Sequence, residues 1–330
     1  MNRPLFSIAM PVRNGANFLA EALESVAAQS FSDFELVVSD NVSTDATPDI
    51  LEAFCGRDSR FRWSRSPDSL PVVENFNRAG SLARGEWIVF LSHDDMLRPT
   101  CLEQLASALE EHGEPPLGLV GFAEEHVFAN GYVHVPAWSE ATRLRRFAGP
   151  AFLRRKLSGR SPAPLPGMSN AAVRRSVWEA CGRFDPRFLH CDTFLWHRIL
   201  LHHDYLAISE PLVAVRIHEQ QDSASVRRQF RSIDEFRTFF PEFVRDNADR
   251  LELSAQDRHF AERLYLSVAA TEMVIQILRR DVRRAWQILR RVPWTQYPWM
   301  AALVVRNGLR EAARTRHVRR HVPTRMVYPG

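Results

Sequence analysis

Two short apolar runs in the first third of the chain end in acidic residues, and this feature constrains the fold most strongly. Phe34–Ser39 is followed by Asp40, and Trp87–Leu91 is followed closely by Asp94 and Asp95. Ligands of open α/β sheets bind outside the carboxyl ends of the strands. Carboxylates at two such ends suit a divalent cation shared with a phosphorylated ligand, because hard cations take oxygen ligands. The alternative is that these acids are helix caps or turn residues, which the short side chain of Asp favours.

Strand-like and helix-like segments alternate through the first two thirds of the chain. Short β-compatible apolar runs predict strands, and apolar residues at helical spacing predict amphipathic helices between them. The predicted strands are Leu5–Val12, Phe34–Ser39, Trp87–Leu91 and Leu117–Phe122. The predicted helices are Phe18–Gln29, Thr47–Phe54 (with Thr47 as its cap), Glu74–Ala83, Cys101–His112, Ala171–Cys181 and Thr193–Leu201. The alternation predicts an α/β fold with a doubly wound, mostly parallel sheet.

Length and charge divide the chain into two regions. At 330 residues, the chain allows roughly two domains. The strand patterns end near Ser225, and from Arg228 onward 20 Arg face only 11 acidic residues. We therefore predict a domain at residues 1–225 and a C-terminal helical, Arg-rich region at residues 226–330.

Cysteine spacing and hydropathy narrow the cellular setting. The four cysteines show no CxxC or other zinc spacing, which is typical of reduced thiols in a cytosolic protein. A strand pattern begins directly after Met1–Pro4, so no signal peptide is expected. No stretch reaches the length of about 18 apolar residues that a membrane span needs. We expect a cytoplasmic protein, and the basic C-terminal region leaves peripheral attachment to the inner face of the plasma membrane open.

The order and spacing of several motifs resemble the family 2 glycosyltransferases with the GT-A fold. The resemblance covers about Phe6 to Ser225. It is carried by Ser7–Asn14, Phe34–Asp45, Ala83–Ile88, Asp94-Asp95, Gly182–Asp185, Asp192, Leu195-Trp196, Arg198, Arg216–His218 and Ser223. It implies an inverting enzyme that moves a sugar from a nucleotide-diphosphate donor to a hydroxyl acceptor, in bacterial cell-surface polysaccharide or lipid-linked glycan synthesis.

The resemblance implies a donor site at the strand ends. Asp40 would accept a hydrogen bond from a base N–H, and the backbone of Pro11 and Val12 would line the base and ribose. Arg13 would stack on the base with its planar guanidinium or remain a solvated surface residue. The complete implied donor set is Pro11, Val12, Arg13, Asp40, Asn41, Ser92, His93, Asp94 and His218.

A divalent metal, Mn²⁺ or Mg²⁺, is implied at Asp94, with Asp95 as a further ligand. His218 would be a third ligand or a donor to a phosphate oxygen, and a role as a surface loop residue is the alternative. Relatives usually carry Asp-x-Asp here, but this chain has Ser92 in the place of the first acid. A Ser hydroxyl brings no charge, so weaker metal binding is expected. His93 is either a nitrogen ligand or a hydrogen-bonding neighbour of the two carboxylates.

Asp192 is the implied general base. Relatives commonly show Glu-Asp at this place, whereas this chain has Cys191-Asp192. A partly buried carboxylate has a raised pKa that suits proton abstraction. Asp192 could instead cap the following helix. The segment Gly167–Asn170 is expected to face the sugar or the acceptor. Trp196 is expected to pack in the core, and lining the acceptor pocket is the alternative.

The C-terminal segment Arg279–Arg325 carries 13 Arg against two acidic residues, with Trp286, Trp294, Tyr297 and Trp299 among them. Arg beside aromatic residues fits an anionic membrane surface. A solvated helical bundle is the alternative, and nucleic acid is not expected because no binding motif is present.

Two other function classes make different demands on the sequence. A sugar nucleotidyltransferase would need a Gly-rich loop near the N-terminus, and Pro11–Asn14 is not such a loop. A degenerate relative that binds nucleotide-sugar or glycan without turnover remains open, because Ser92 and Cys191 replace acids of the family pattern.

Overall fold

The computed structural model describes residues 3–129, 131–135, 144–161, 163–218, 231–278 and 281–304. Two compact units are present. The first comprises Met1–His126, Val135–Leu153 and Pro162–Arg216, and the second comprises Val127–His134, Arg154–Ser161 and Ile217–Gly330. The predicted boundary near Ser225 lies outside the described residues.

Strands and helices alternate through the first 217 residues. In chain order they are β1 (Phe6–Val12), α1 (Leu19–Ala27), β2 (Phe34–Asp40), α2 (Thr47–Cys55), β3 (Phe61–Arg65), α3 (Val72–Leu82), β4 (Trp87–Phe90), β5 (Met96–Leu97), α4 (Cys101–His112), β6 (Leu117–Phe128), β7 (Val133–His134), β8 (Leu144–Phe147), α5 (Gly149–Leu157), β9 (Ala171–Arg174), α6 (Arg175–Ala180), α7 (Cys191–Ile199) and β10 (Asp204–Ile217). The predicted α/β class is confirmed.

The described strands form one sheet with the order β3-β2-β1-β4-β9-β6-β10-β5, to which β7 and β8 are added by pairing with β6 and β10. Its first four strands are parallel, with β1 between β2 and β4. All residues of β1, β2 and β4 are buried, because helices cover both faces of a parallel sheet. The carboxyl ends of these strands therefore meet at one edge.

One predicted element is wrong. Ala171–Cys181 was expected to be a single helix, but its first four residues form β9 and only Arg175–Ala180 is helical. The strand pairs antiparallel with both β4 and β6. Local spacing could not reveal this, because the hydrogen bonds that make Ala171–Arg174 a strand come from residues more than 40 positions away in the chain.

The predicted division at residue 225 stays a prediction. Besides the end of α5 and a helical stretch at residues 297–304, the described residues of the second unit form four α-helices. They are α8 (Arg231–Asn247), α9 (Ala255–Ala261), α10 (Leu264–Leu278) and α11 (Val282–Arg291). A short 3₁₀ turn follows at Trp294–Gln296. Residues of α8, α10 and α11 share one apolar core that includes Ile233, Leu266 and Ile288. Within the part of the chain that the structure describes, none of the helices is both long and apolar enough to cross a membrane.

Candidate active site

The predicted donor site lies where β1, β2 and β3 end side by side. Val12 is paired with Asp40, and Asp40 is paired with Arg65 on its other side. The side chains of Pro11 and Val12 are buried at the end of β1. A ligand bound at this edge would therefore contact their backbone atoms. The parallel register thus brings together three residues that are far apart in sequence.

Asp40 is completely buried at this edge, and its two oxygens have different surroundings. Oδ1 accepts the backbone N–H of Ser43 over 3.1 Å, the turn role that was the alternative for this residue. Oδ2 lies 3.2 Å from Nη1 of Arg65, yet no donor in the described residues forms a hydrogen bond with it. A buried acceptor without a hydrogen bond is rare and calls for a partner, so Oδ2 retains acceptor capacity for a ligand.

The loops after β1 and β2 hold each other in place. Asn14 has a left-handed backbone (φ 51°), its N–H donates to Ser43 Oγ over 2.9 Å, and its side-chain oxygen accepts the N–H of Thr44 over 2.8 Å. Thr47 is not the cap that the sequence suggested. Its hydroxyl instead accepts the N–H of Gly15 over 2.9 Å, and α2 has Ala46 at its N-cap.

Asn41 and Arg13 both reach the segment after β3. The Asn41 amide exchanges two hydrogen bonds with the backbone of Leu70, at 2.7 and 2.8 Å. The Asn41 side chain therefore secures that loop, and its predicted contact with the donor stays a prediction. Arg13 is exposed and donates to Ser69 Oγ over 2.6 Å, so its guanidinium lies at the surface beside the strand ends.

The second acidic strand end is a tight turn, Ser92–Asp95, directly after β4. The N–H of Asp95 donates to the carbonyl of Ser92 over 3.1 Å. The half-buried ring of His93 packs on the turn after β1. The closeness of this contact is shown at Gly15, where an added Cβ would lie only 2.6 Å from His93 Cδ2. His93 thus joins the two strand ends, and Gly15 is required for this close approach.

Asp94 and Asp95 are both buried. Burial is the main reason why the pKa of Asp95 is raised well above its ordinary value, and the neighbouring charge of Asp94 adds to the rise. The backbone N–H of Arg216 donates to Asp95 Oδ1 over 3.1 Å. The side-chain Nε of Arg216 donates to the backbone carbonyl oxygen of Asp94 over 2.8 Å. Two adjacent buried carboxylates that repel each other are stabilised by a cation.

The metal site at Asp94, Asp95 and His218 stays a prediction. The described residues contain no group of three or more His, Cys, Asp or Glu side chains placed to hold a metal ion. His218 follows the end of β10 and belongs to the second unit. The Asp94–Asp95 pair still fits Mn²⁺ or Mg²⁺, since such ions are often held by one or two carboxylates and completed by substrate phosphates.

Ser169 connects this turn with the loop that precedes β9. Its Oγ accepts the N–H of Ser92 and donates to Ser92 Oγ, both over 3.2 Å, and its hydroxyl also lowers the pKa of the Asp95 carboxyl. Trp196 is fully buried, as predicted, and its indole N–H donates to the carbonyl of Pro166 over 3.1 Å. The loop is therefore held at both ends by buried groups.

Asp192 lies on the other side of the same loop. A Cβ added to the exposed Gly167 would be 4.0 Å from Asp192 Oδ2 and 3.3 Å from the buried Oδ1 of Asn170, which has no hydrogen-bond partner in the described residues. Burial is the main cause of the raised pKa of Asp192. The residue is not the N-cap of α7, which is His190, although its Oδ1 accepts the N–H of Thr193 over 2.6 Å. A raised pKa is what a general base needs at neutral pH, and the role of Asp192 as the base stays a prediction.

This arrangement has a counterpart in known proteins. The family model described as "Glycosyl transferase family 2" matches residues 7–181, from β1 to the end of α6. The chain belongs to glycosyl transferase family 2. The match includes both acidic strand ends and the Gly167–Asn170 loop, and it ends before Asp192.

Curated relatives agree with the family but match only part of their length. A "PGL/p-HBAD biosynthesis glycosyltransferase" of Mycobacterium bovis is 40% identical over 114 residues, which cover 34% of this chain and 44% of the relative. "Glycosyltransferase GlyG" of Streptococcus pneumoniae is 28% identical over 107 residues, covering 32% and 36%. The chain thus spans less than half the length of these family 2 relatives.

Solved structures confirm the predicted GT-A fold. S. aureus TarS in complex with UDP-GlcNAc is 18% identical, with a TM-score of 0.56 and coverage of 92% of this chain and 89% of that chain. The mannosyltransferase PcManGT from Pyrobaculum calidifontis, in complex with GDP-Man and Mn²⁺, is 18% identical, with a TM-score of 0.55 and coverage of 93% and 88%. At this identity, the likeness concerns the fold.

Two contacts of this family 2 site had no predictive signal in the sequence. Arg65 ends a strand that was not predicted, so its ion pair with Asp40 could not be foreseen. Ser169 lay in a loop expected to face the substrate, but its bond to Ser92 depends on the tertiary fold. Arg216 was part of a recognised motif, and only the structure assigns its N–H to Asp95.

Proposed function

We propose that this protein is an inverting glycosyltransferase that moves a sugar from a nucleotide-diphosphate donor to a hydroxyl acceptor, in bacterial cell-surface polysaccharide or lipid-linked glycan synthesis. The observation that carries the proposal is the short loop Gly167–Asn170. Ser169 contacts the Asp94–Asp95 turn at one side of this loop, and Asp192 faces Gly167 at the other. A site for the leaving diphosphate and a candidate base therefore flank one short segment, in which Gly167 is exposed.

The donor nucleotide binds at the ends of β1–β3 in this proposal. Asp40 Oδ2 accepts a base N–H in this proposal. In support, this oxygen is in ion-pair contact with Arg65 but receives no hydrogen bond from the described residues. TarS in complex with UDP-GlcNAc and PcManGT in complex with GDP-Man carry bases of this kind, because uracil and guanine both present a ring N–H. We infer that the donor is a UDP-sugar or a GDP-sugar. The other contacts proposed for it are made by Pro11, Val12, Arg13, Asn41, Ser92, His93 and His218.

Asp94 and Asp95 would hold a divalent cation together with the donor diphosphate, and His218 is proposed as an additional ligand. When bound, Mn²⁺ or Mg²⁺ supplies positive charge that neutralises the leaving diphosphate. Burial of the two carboxylates and their mutual repulsion favour this role. Ser92 brings no charge, and therefore the two carboxylates carry the electrostatic part of the site.

Asp192 takes the proton from the acceptor hydroxyl in this mechanism. The acceptor oxygen attacks the anomeric carbon, the bond between that carbon and the diphosphate oxygen breaks, and the electron pair leaves with the nucleoside diphosphate. A single displacement from the opposite face inverts the anomeric centre. The raised pKa of Asp192 suits the step because a base works best when its pKa approaches the working pH.

Acceptor and location are the finer parts of the proposal. We infer a glycan or a lipid-linked sugar as acceptor, and a cytoplasmic protein that attaches peripherally to the inner face of the plasma membrane. The Arg-rich composition of the C-terminal region supports this location. Only residues 281–304 of the predicted membrane segment Arg279–Arg325 lie among the described residues.

A second candidate is a degenerate family member that binds nucleotide-sugar or glycan without turnover. Ser92 and Cys191, which stand where relatives carry acids, are the observations that favour it. Incubating the purified protein with UDP-GlcNAc or GDP-Man, a panel of hydroxyl acceptors and Mn²⁺ separates the two. Release of UDP or GDP that depends on Asp192 supports the transferase. Donor binding without any release, by transfer or by hydrolysis, contradicts it and favours the degenerate candidate.

A further inference from the structure

The last part of the second unit exposes an unusual number of large apolar side chains. We call them the aromatic face, and they comprise Val282 (70% exposed), Trp286 (60%), Trp294 (78%), Tyr297 (40%) and Trp299 (56%). They fall within 18 consecutive residues. Large exposed apolar patches mark surfaces to which a protein or a membrane binds, and these five exposed side chains lie close together in the sequence.

The packing of α11 explains why these side chains point outward. Ile288 is fully buried in the core shared with α8 and α10, and Val292 is 3% exposed. Since a helix turns about 100° per residue, Trp286 lies about 160° and Val282 about 120° around the helix from Ile288, so both point away from its inner side. The N-cap bond from the Arg284 N–H to Asp281, 2.9 Å, fixes the start of the helix. The exposure therefore follows from a well-anchored inner face.

Charge on the outer side of α11 is not compensated within the described residues. Arg283 and Arg290 are exposed, and no ion pair joins either to a described carboxylate, whereas Arg284 is paired with Asp281 and Arg291 with Asp234. At about 100° per residue, both lie within about 60° of Trp286 around the helix. The sequence from Arg306 to Arg325 then adds seven Arg against one acid. The outer side combines exposed Trp with positive charge.

We propose that the aromatic face docks on an anionic lipid bilayer, with its Trp and Tyr rings at the level of the headgroups and Arg283 and Arg290 on lipid phosphates. Trp and Tyr are enriched at membrane interfaces because one end of the ring system is apolar and the other is polar. Amphipathic helices with Arg on the polar side bind such interfaces without crossing them. This proposal identifies the aromatic face as the surface that contacts the membrane, and it rests on the peripheral membrane attachment in the proposed function.

The test is flotation of the full-length protein with vesicles of phosphatidylethanolamine and phosphatidylglycerol, and with phosphatidylcholine vesicles, at low and high salt. We expect binding to the anionic vesicles, weakened by salt. Each Arg near such a surface contributes about fivefold to binding, so Arg283→Gln/Arg290→Gln should bind on the order of 25-fold more weakly. Trp286→Ser/Trp294→Ser/Trp299→Ser should lose binding on the order of tenfold or more, because binding scales with buried apolar area.

Matched controls distinguish the effect of the aromatic face from the effect of removing any exposed charge or any exposed apolar side chain. Arg245→Gln removes an exposed charge from α8, and Val72→Ser removes an exposed apolar side chain from α3; both should bind like the unchanged protein. Unchanged binding by both face variants overturns the proposal, as does absence of binding under every condition. A shift from dimer to monomer in the Trp variant without vesicle binding also overturns it and identifies an interface between copies. Vesicle binding is measured without donor, so loss of transfer activity does not affect this outcome.

Discussion

Ser169 Oγ donates to Ser92 Oγ over 3.2 Å, although 77 residues separate them in the chain. Ser92 begins the turn that carries Asp94 and Asp95, and Ser169 belongs to the loop that faces Asp192. This bond therefore links the proposed diphosphate side of the site to the proposed acceptor side. We expect a substitution on one side of the site to alter the other side only if it displaces this loop.

Asp94→Ala should abolish transfer and remove nucleotide binding that depends on Mn²⁺, because the diphosphate loses its counter-charge. Thermal-shift titration of UDP and GDP with and without Mn²⁺ measures this. Asp49→Ala, which removes an exposed acid in the first turn of α2, is the matched control and should behave like the unchanged protein. Full activity of the Asp94 variant would contradict the metal assignment.

Stability should depend on pH through Asp95. Its pKa is raised in the folded protein, mainly by burial and then by Asp94, so its contribution to stability is full below the unfolded pKa and is lost as pH rises through the folded pKa. A bound cation requires the ionised form, and hence stabilisation by Mn²⁺ should increase with pH. Melting temperatures across pH, with and without Mn²⁺, check both trends.

Asp95→Asn provides the control for this pH effect. The amide still offers an oxygen to the Arg216 N–H but carries no charge. Without metal, the variant should melt at a higher temperature than the unchanged protein at neutral pH, and the increase of Mn²⁺ stabilisation with pH should flatten. A pH profile identical to that of the unchanged protein would assign the effect to another group.

Asp192→Asn should lower turnover by at least about a hundredfold, a typical loss when a general base is removed, while donor affinity changes little. In the unchanged protein, activity should fall as pH decreases through the raised pKa of Asp192, and the variant should lack that limb. Steady-state rates across pH and donor titration measure both. Collapse of folding together with donor binding would instead indicate a structural role in α7.

Gly167→Ala should impair use of the acceptor without unfolding the protein. The added Cβ would lie 3.3 Å from Asn170 Oδ1 and 4.0 Å from Asp192 Oδ2, which is tight but needs no large shift. We expect a higher acceptor KM and unchanged donor affinity. Gly56→Ala introduces an equally close contact, 3.3 Å to the Glu52 carbonyl, far from these residues in sequence and should leave kinetics unchanged. Equal effects of both substitutions would remove the loop from the acceptor site.

The sequence by itself determined the alternation of strands and helices and the acidic residues at the strand ends. Such features are local, because a buried parallel strand is a short apolar run and a turn follows directly in the chain. The observed strand ends at Asp40 and Phe90 lie within one residue of the predicted ones. The family motifs then assigned expected roles to these positions.

Only the tertiary structure decided which side chains meet. Ala171–Arg174 became a strand because β4 and β6 supply hydrogen bonds that helical spacing cannot anticipate. The raised pKa of Asp95 comes from burial by distant segments and from a neighbouring charge. Helical periodicity placed Ile288 and Trp286 on opposite sides of α11, but packing against α8 and α10 selected Ile288 for the core and left Trp286 at the surface.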